Sequence, residues 1–180
     1  MRKIIAAEYV SLDGVMENPA WTGPYFNEEV SQRQQELLFA SQALLLGRVT
    51  YEGMSQAWLS RAGADAFTDH LNSLPKYVLT STLTEPTWNA SFVTGDGLAE
   101  IRRLKAQSGP NLLVYGSADL LNALHQHGLV DEYHLFLAPV TVGQGKRLFA
   151  EGGDPSHLHL LHTQPTSTGM LMLAYGREKA

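Results

Sequence analysis

The sequence predicts an α/β fold: a mostly parallel sheet with helices on both faces and an antiparallel C-terminal edge. Short runs rich in Ile, Leu and Val alternate with longer segments of helical period, the order expected of βα units. Several of the short runs are apolar at consecutive positions, the pattern of strands covered on both faces. The last two runs, 157–162 (HLHLLH) and 169–176 (GMLMLAYG), flank PTST, a turn-rich connection that lets them pair antiparallel.

Taken in order, the first predicted strand is 3–10 (KIIAAEYV), which breaks at once into the loop VSLDGVMENPAW with its two acids, a glycine and a tryptophan. A helix follows over 27–40, with Asn27 as N-cap. Strand 42–47 (QALLLG) leads into helix 48–58, and helix 63–74 precedes strand 76–81 (KYVLTS). Helix 97–107, strand 111–115 (NLLVY), helix 117–127 with Ser117 as N-cap, and strand 133–140 (YHLFLAPV) complete the alternating part. Each helix is long enough to cross over between parallel strands. The longest irregular pieces are 83–91 and 141–155, and loops of that size tend to rim functional sites.

At 180 residues the chain is expected to form one domain, residues 1–180, with its own core. Hydrophobic residues at 44% against 17% charged place it with globular proteins and apart from disordered chains. A formal net charge of −5 argues against a broad nucleic-acid interface, which needs an excess of Lys and Arg. Without cysteine there are no disulfides, thiol nucleophiles or Cys-based zinc sites. The apolar start is interrupted by Glu8 and Asp13, and no run approaches the roughly 20 apolar residues of a membrane helix. The expectation is a cytoplasmic protein with no membrane partner.

Three strand ends carry residues suited to phosphate. In LLLGRVTYEGM a buried strand joins a helix through Gly47, followed by Arg48 and Thr50; a glycine, free N–H groups, a guanidinium and a hydroxyl together favour an anion, although a surface turn would also read this way. LLVYGSADLL repeats the arrangement with Gly116 and Ser117. Two such turns from one parallel sheet would both lie at its carboxyl edge, where open α/β sheets bind ligands. KYVLTSTL ends in Thr80, Ser81 and Thr82, although a TST run by itself is more often a turn. Neither GxGxxG nor a Walker loop occurs.

Together, IIAAEYVSLDGVMENPAW, LLLGRVTYEGM, YVLTSTL, LLVYGSADLLNAL and GLVDEYHLFLAPVTVGQGKRLF resemble the dihydrofolate reductase superfamily, in the branch similar to the C-terminal reductase domain of the bifunctional riboflavin-biosynthesis deaminase-reductase. The resemblance runs over essentially the whole chain and implies a three-layer α/β/α dihydrofolate-reductase-like fold, NADPH as cofactor and a homodimer. It implies that Ala7 offers backbone groups to the nicotinamide carboxamide and that Gly14 and Val15 line its ribose side. Gly47, Arg48 and Thr50 would hold the pyrophosphate and adenosine phosphate region, and Thr80 and Ser81 would sit by the adenosine ribose. Gly116, Ser117, Ala118 and Leu120 would pass under the pyrophosphate and nicotinamide. The loop after the first strand would cover the reacting ring.

The sequence departs from both relatives at the substrate side. The carboxylate that dihydrofolate reductases place in the first helix falls at Ser31 by ungapped counting, with Glu28 and Glu29 out of register. The lysine that usually precedes SLDG in the riboflavin-pathway branch is replaced by Glu8 and Tyr9. Candidate acids for proton supply are Asp13 by motif, then Glu17 and Glu29, with water as an equal source. The activity implied is hydride transfer to a C=N or C=O of a pterin-like or pyrimidine-like small molecule. The alternative is a nucleotide-binding module that keeps the fold without the chemistry. His157 with His159, and His125 with His127, lack a placed third ligand, so no metal site is expected.

Overall fold

A computed structural model describes residues 1–178. Eight strands form one sheet in the order β4-β3-β2-β5-β1-β6-β8-β7. They are β1 Ile4–Ser11, β2 Ser41–Gly47, β3 Lys76–Leu79, β4 Ala90–Val93, β5 Asn111–Tyr115, β6 Glu132–Ala138, β7 Leu158–Pro165 and β8 Leu171–Arg177. β1 to β6 run parallel, and β8 and β7 complete the sheet antiparallel. The α-helices are α1 Glu28–Phe39, α2 Arg48–Leu59, α3 Ala66–Ser73, α4 Gly97–Ala106 and α5 Ala118–Gln126, and a 3-10 helix spans Pro19–Tyr25. The mixed-sheet α/β architecture anticipated from the sequence is the one observed.

The consecutive apolar residues of the central strands serve two cores. Ile5, Ala7, Leu44, Leu46 and Leu113 face α1 and α3, where Val30, Leu37, Leu38 and Leu71 are buried against them. Their neighbours Ile4, Ala6, Leu45, Leu112 and Val114 face α4 and α5, packing on Ile101, Leu104, Leu121 and Leu124. Strand side chains alternate between faces, so a run apolar at every position is what a sheet sandwiched between helices requires.

Where the elements differ from expectation, local chemistry explains it. β4 lies partly inside the stretch 83–91 read as a loop; four residues pairing with β3 at the sheet edge are too few to show a period. The helix expected at 63–74 begins only at Ala66, because Asp65 accepts the Thr68 N–H and caps it. Asn27 caps α1 as expected, accepting from Val30 N. The run 157–162 extends to Pro165, and the turn back to β8 is closed by Thr166, whose N–H donates to the Met170 carbonyl at 2.8 Å. Among the described residues no helix is long and apolar enough to cross a membrane.

Candidate functional site

β2 and β5 are adjacent parallel strands, and each ends by feeding a helix. Gly47 and Ser117 are the N-cap residues of α2 and α5, and neither caps its helix with a side chain. The other three α-helices are capped by Asn27, Asp65 and Asp96. Ser117 therefore stands at the expected N-cap position but does something else: its Oγ accepts the Gly47 N–H at 2.8 Å and ties the two turns together. Gly116 and Ser117 both lie in the left-handed region, with φ of 57° and 61°. A Cβ at Gly116 would come 3.2 Å from Thr50 Cγ2, so only glycine fits without displacing Thr50. First-turn N–H groups of two helices are left without side-chain caps where the turns meet, a favourable setting for an anion.

Above this junction opens a cleft of about 1720 Å³. One arm runs over the carboxyl edge of the sheet, between Gly47–Thr50, Gly95–Leu98 and Tyr115–Leu120. The other passes between α1, α2 and α3, with Tyr9, Phe26, Met54, Trp58 and Phe67 as apolar walls and Ser31, Gln34 and Gln35 as polar ones. Burial pushes the Tyr9 phenol up to about 12, opposed by its hydrogen bond to Gln34. Arg48 lines the first arm, where its Nη1 donates to Glu52 Oε2 at 2.7 Å. Lys146 lines it as well and pairs with Asp119.

Ala7, Glu8 and Tyr115 line the cleft as well. Glu8 is 3% exposed; its Oε2 accepts the Gly116 N–H at 2.8 Å and its Oε1 is buried without a partner. Burial raises its carboxyl well above the usual carboxylate range, opposed only by that hydrogen bond.

Of the residues singled out from the sequence, Ala7, Gly47, Arg48, Thr50, Gly116, Ser117, Ala118, Leu120 and Glu17 line the cleft together. Thr80, Ser81, Gly14, Val15, Asp13 and Glu29 are not in its lining. Thr80 Oγ1 accepts the N–H groups of Thr82 and Leu83, which makes it the pivot of the turn after β3. Val15 is fully buried and pairs with Arg147 in an isolated antiparallel bridge. Asp13 accepts from Ser11 Oγ at 2.6 Å, Val142 N at 3.0 Å and Gly143 N at 2.7 Å, bonds that hold its carboxyl well below the usual range. Glu29 Oε2 accepts from the Ser167 N–H and hydroxyl, fastening α1 to the turn between β7 and β8.

The loop after β1 is thus held by the loop 141–149. Met16 N donates to the Lys146 carbonyl and Leu148 N to the Gly14 carbonyl, both at 2.9 Å, and Glu17 Oε2 accepts from Lys146 N. Gly14, at φ 83°, makes the reversal in this loop.

Sequence reasoning did not assign a site role to Tyr9, Gln34, Trp58, Arg61, Phe67, the turn 95–98 or Tyr115, all of which line the cleft. Glu8 was legible as an anomaly, a carboxylate inside an apolar strand run. Arg61 and Trp58 had no such signal; three residues apart at the end of α2, they set a guanidinium 4.7 Å above an indole, and only the packing of Trp58 against Phe67 of α3 brings them to the cleft.

The strand order and the antiparallel edge define a dihydrofolate-reductase-like fold, with a cleft at the carboxyl ends of the strands. A Thermotoga maritima diaminohydroxyphosphoribosylaminopyrimidine deaminase/5-amino-6-(5-phosphoribosylamino)uracil reductase superimposes with a TM-score of 0.70 at 14% identity, over 98% of this chain and 56% of that one. A dihydrofolate reductase from Enterococcus faecalis, complexed with NADP(H), superimposes with a TM-score of 0.69 at 19% identity, over 98% and 97% of the two chains. The protein YyaP of Bacillus subtilis strain 168 is 28% identical over 177 residues, 97% of this chain and 94% of YyaP. The RibD C-terminal domain matches residues 2–172, and the chain belongs to that family.

Proposed function

We propose that the protein is an NADPH-dependent reductase that transfers hydride to a C=N or C=O of a small heteroaromatic molecule, pterin-like or pyrimidine-like. The observation that carries this reading is the junction of two helix N-termini without side-chain caps beneath one cleft, continuous with an aromatic-walled second arm. The residues present fit a dinucleotide. The Gly47 and Gly116–Ser117 turns would hold the pyrophosphate, Arg48 would leave Glu52 for a phosphate, and Ala7 would meet the nicotinamide end. The cofactor supplies the hydride; the chain orients two rings face to face and excludes water.

The substrate arm carries Ser31 and Gln34 where a carboxylate would select a cationic ring, so an uncharged heterocycle matched by amide and hydroxyl hydrogen bonds fits it better. Of the three acids Asp13, Glu17 and Glu29, only Glu17 lines the cleft, and it shares the proton role with water entering beside it. With Thr80 outside the lining and its hydroxyl engaged, preference for NADPH over NADH rests on Arg48. A homodimer through the β7 edge completes the assembly.

The alternative is a nucleotide-binding module without turnover, favoured by the absence of a carboxylate at position 31. Mixing the protein with NADPH and a panel of oxidised pterins and pyrimidines, while following nicotinamide absorbance, separates the two. Consumption of NADPH with one of them supports the reductase. Saturable NADPH binding with no turnover across the panel supports the module.

A further inference from the structure

A carboxyl group in the middle of an eight-stranded sheet needs a reason. On β1 the residues around Glu8 are apolar and buried: Ile4, Ile5, Ala6, Ala7 and Val10. Glu8 is just as buried, yet it has one hydrogen bond, and that bond goes to the N–H of Gly116 in the turn that opens α5. Its second oxygen is sealed from solvent and touches no donor, so Glu8 is poorly placed to relay a proton to a substrate. What it can change is the field beneath the turn.

Among the described residues, the groups around it offer no compensating cation in contact. On β5, Tyr115 has its phenol raised by burial, with Tyr9 and Glu8 as further contributors. On β6 the register partner is Leu135, and the neighbouring His134 gives its Nε2 to Glu132 at 3.0 Å. α5 contributes Ala118, Asp119 and Leu120 to the cleft, and Asp119 already pairs with Lys146, while Arg48 on α2 pairs with Glu52.

We propose that Glu8 is a positioning residue for the anion-binding turn: as a neutral carboxyl it holds the Gly116 N–H and leaves the turn electropositive, and as a carboxylate it cancels that field and weakens the bound anion. The proposal rests on the cofactor reading above and adds to it a linkage between one proton and the pyrophosphate. Burial supports the neutral form, because an ionised carboxyl with a single hydrogen bond has lost its hydration for one partner. By reciprocity, an anion that prefers the neutral form must also tighten the hold of Glu8 on its proton.

The test is to measure NADPH affinity, by quenching of tryptophan fluorescence, for the wild type and Glu8→Gln from about pH 6 to 9. Gln keeps the carbonyl that accepts from Gly116 and cannot ionise. The wild type should lose affinity relative to Glu8→Gln by up to about tenfold per pH unit once Glu8 begins to ionise, the slope set by one linked proton. Titration of the ligand's own phosphate is common to both proteins and cancels. Parallel profiles would overturn the linkage while leaving cofactor binding in place; absence of binding to either protein would overturn the cofactor reading and the linkage with it. A second measurement is independent of any ligand. The infrared difference between the free wild type and Glu8→Gln should contain a protonated carboxyl band at neutral pH, and a carboxylate band in its place would overturn the proposal.

Discussion

Asp13 and Arg48 illustrate how one residue type in a turn acquires its role. The Asp13 carboxyl gathers Ser11 Oγ and two N–H groups of the 141–149 loop, so it joins two loops that cover the end of the sheet. Asp13→Asn should lower the melting temperature at neutral pH and make the 11–18 loop more sensitive to limited proteolysis. Because the folded carboxyl titrates below its unfolded value near ~3.9, the difference in stability is full above that pH and closes as pH falls toward the depressed value. Melting curves of both proteins between neutral and acid pH check this, and a gap independent of pH would refute it. Arg48 is half exposed and paired with Glu52, so recruiting it to a phosphate means exchanging one partner for another. Arg48→Ala should weaken NADPH about five- to thirtyfold, roughly 1–2 kcal/mol, the lower part of the charge-assisted range because the site is open to water. NADH affinity should change less, and an equal loss for both cofactors would move the 2′-phosphate contact elsewhere.

Helix ends differ in how they are closed. α1, α3 and α4 begin with side-chain caps, while α2 and α5 begin without them where their turns meet at the cleft. The C-terminus of α3 shows what closing a helix end costs when it is buried. Lys76, fully buried at the start of β3, donates its Nζ to the Leu71 carbonyl at 2.6 Å and the Asn72 carbonyl at 2.8 Å, with the Trp88 ring 4.2 Å away. Lys76→Met keeps the volume and removes the donor. It should cost roughly 1–3 kcal/mol, seen as a fall of about 3–10 °C in melting temperature, since two carbonyls lose a partner and the cation–π contact goes. An unchanged melting temperature would mean that water satisfies those carbonyls.

The whole sheet is asymmetric. Its β4 end is a short strand, whereas β7 at the other end is eight residues long, exposed along nearly its whole length and, among the described residues, paired on one side only. Leu160 and Leu161 are 53% and 49% exposed there. A long free edge with apolar side chains is a template for another strand, and a second copy of the chain would satisfy it symmetrically. Light scattering at micromolar concentration should report a dimer, and Leu161→Lys should shift the population toward monomer. A monomeric wild type would refute this assembly.

Much of this protein was determined by its sequence alone. The alternation of apolar runs with helical periods specified the α/β class, and consecutive apolar residues such as LLVY specified strands with two covered faces, because these patterns are local and repeat over several residues. The glycine of VYGSA marked its strand-to-helix turn for a similar reason, since a backbone in the left-handed region restricts the residue type at Gly116, whereas Gly47 of GRVT is extended at φ −83°. Tertiary structure decided what the side chains at those turns touch. Ser117 gave up capping α5 to bond Gly47, seventy positions earlier; Asp13 turned to the 141–149 loop; Glu29 turned to Ser167. Each of these hydrogen bonds joins segments far apart in the chain, and the direction of a short polar side chain is set by the donors that folding brings beside it. Burial of Glu8 beneath Gly116 has the same origin: one carboxyl in an apolar run is visible in the sequence, but the strand beside it, and the turn above it, exist only in the folded sheet.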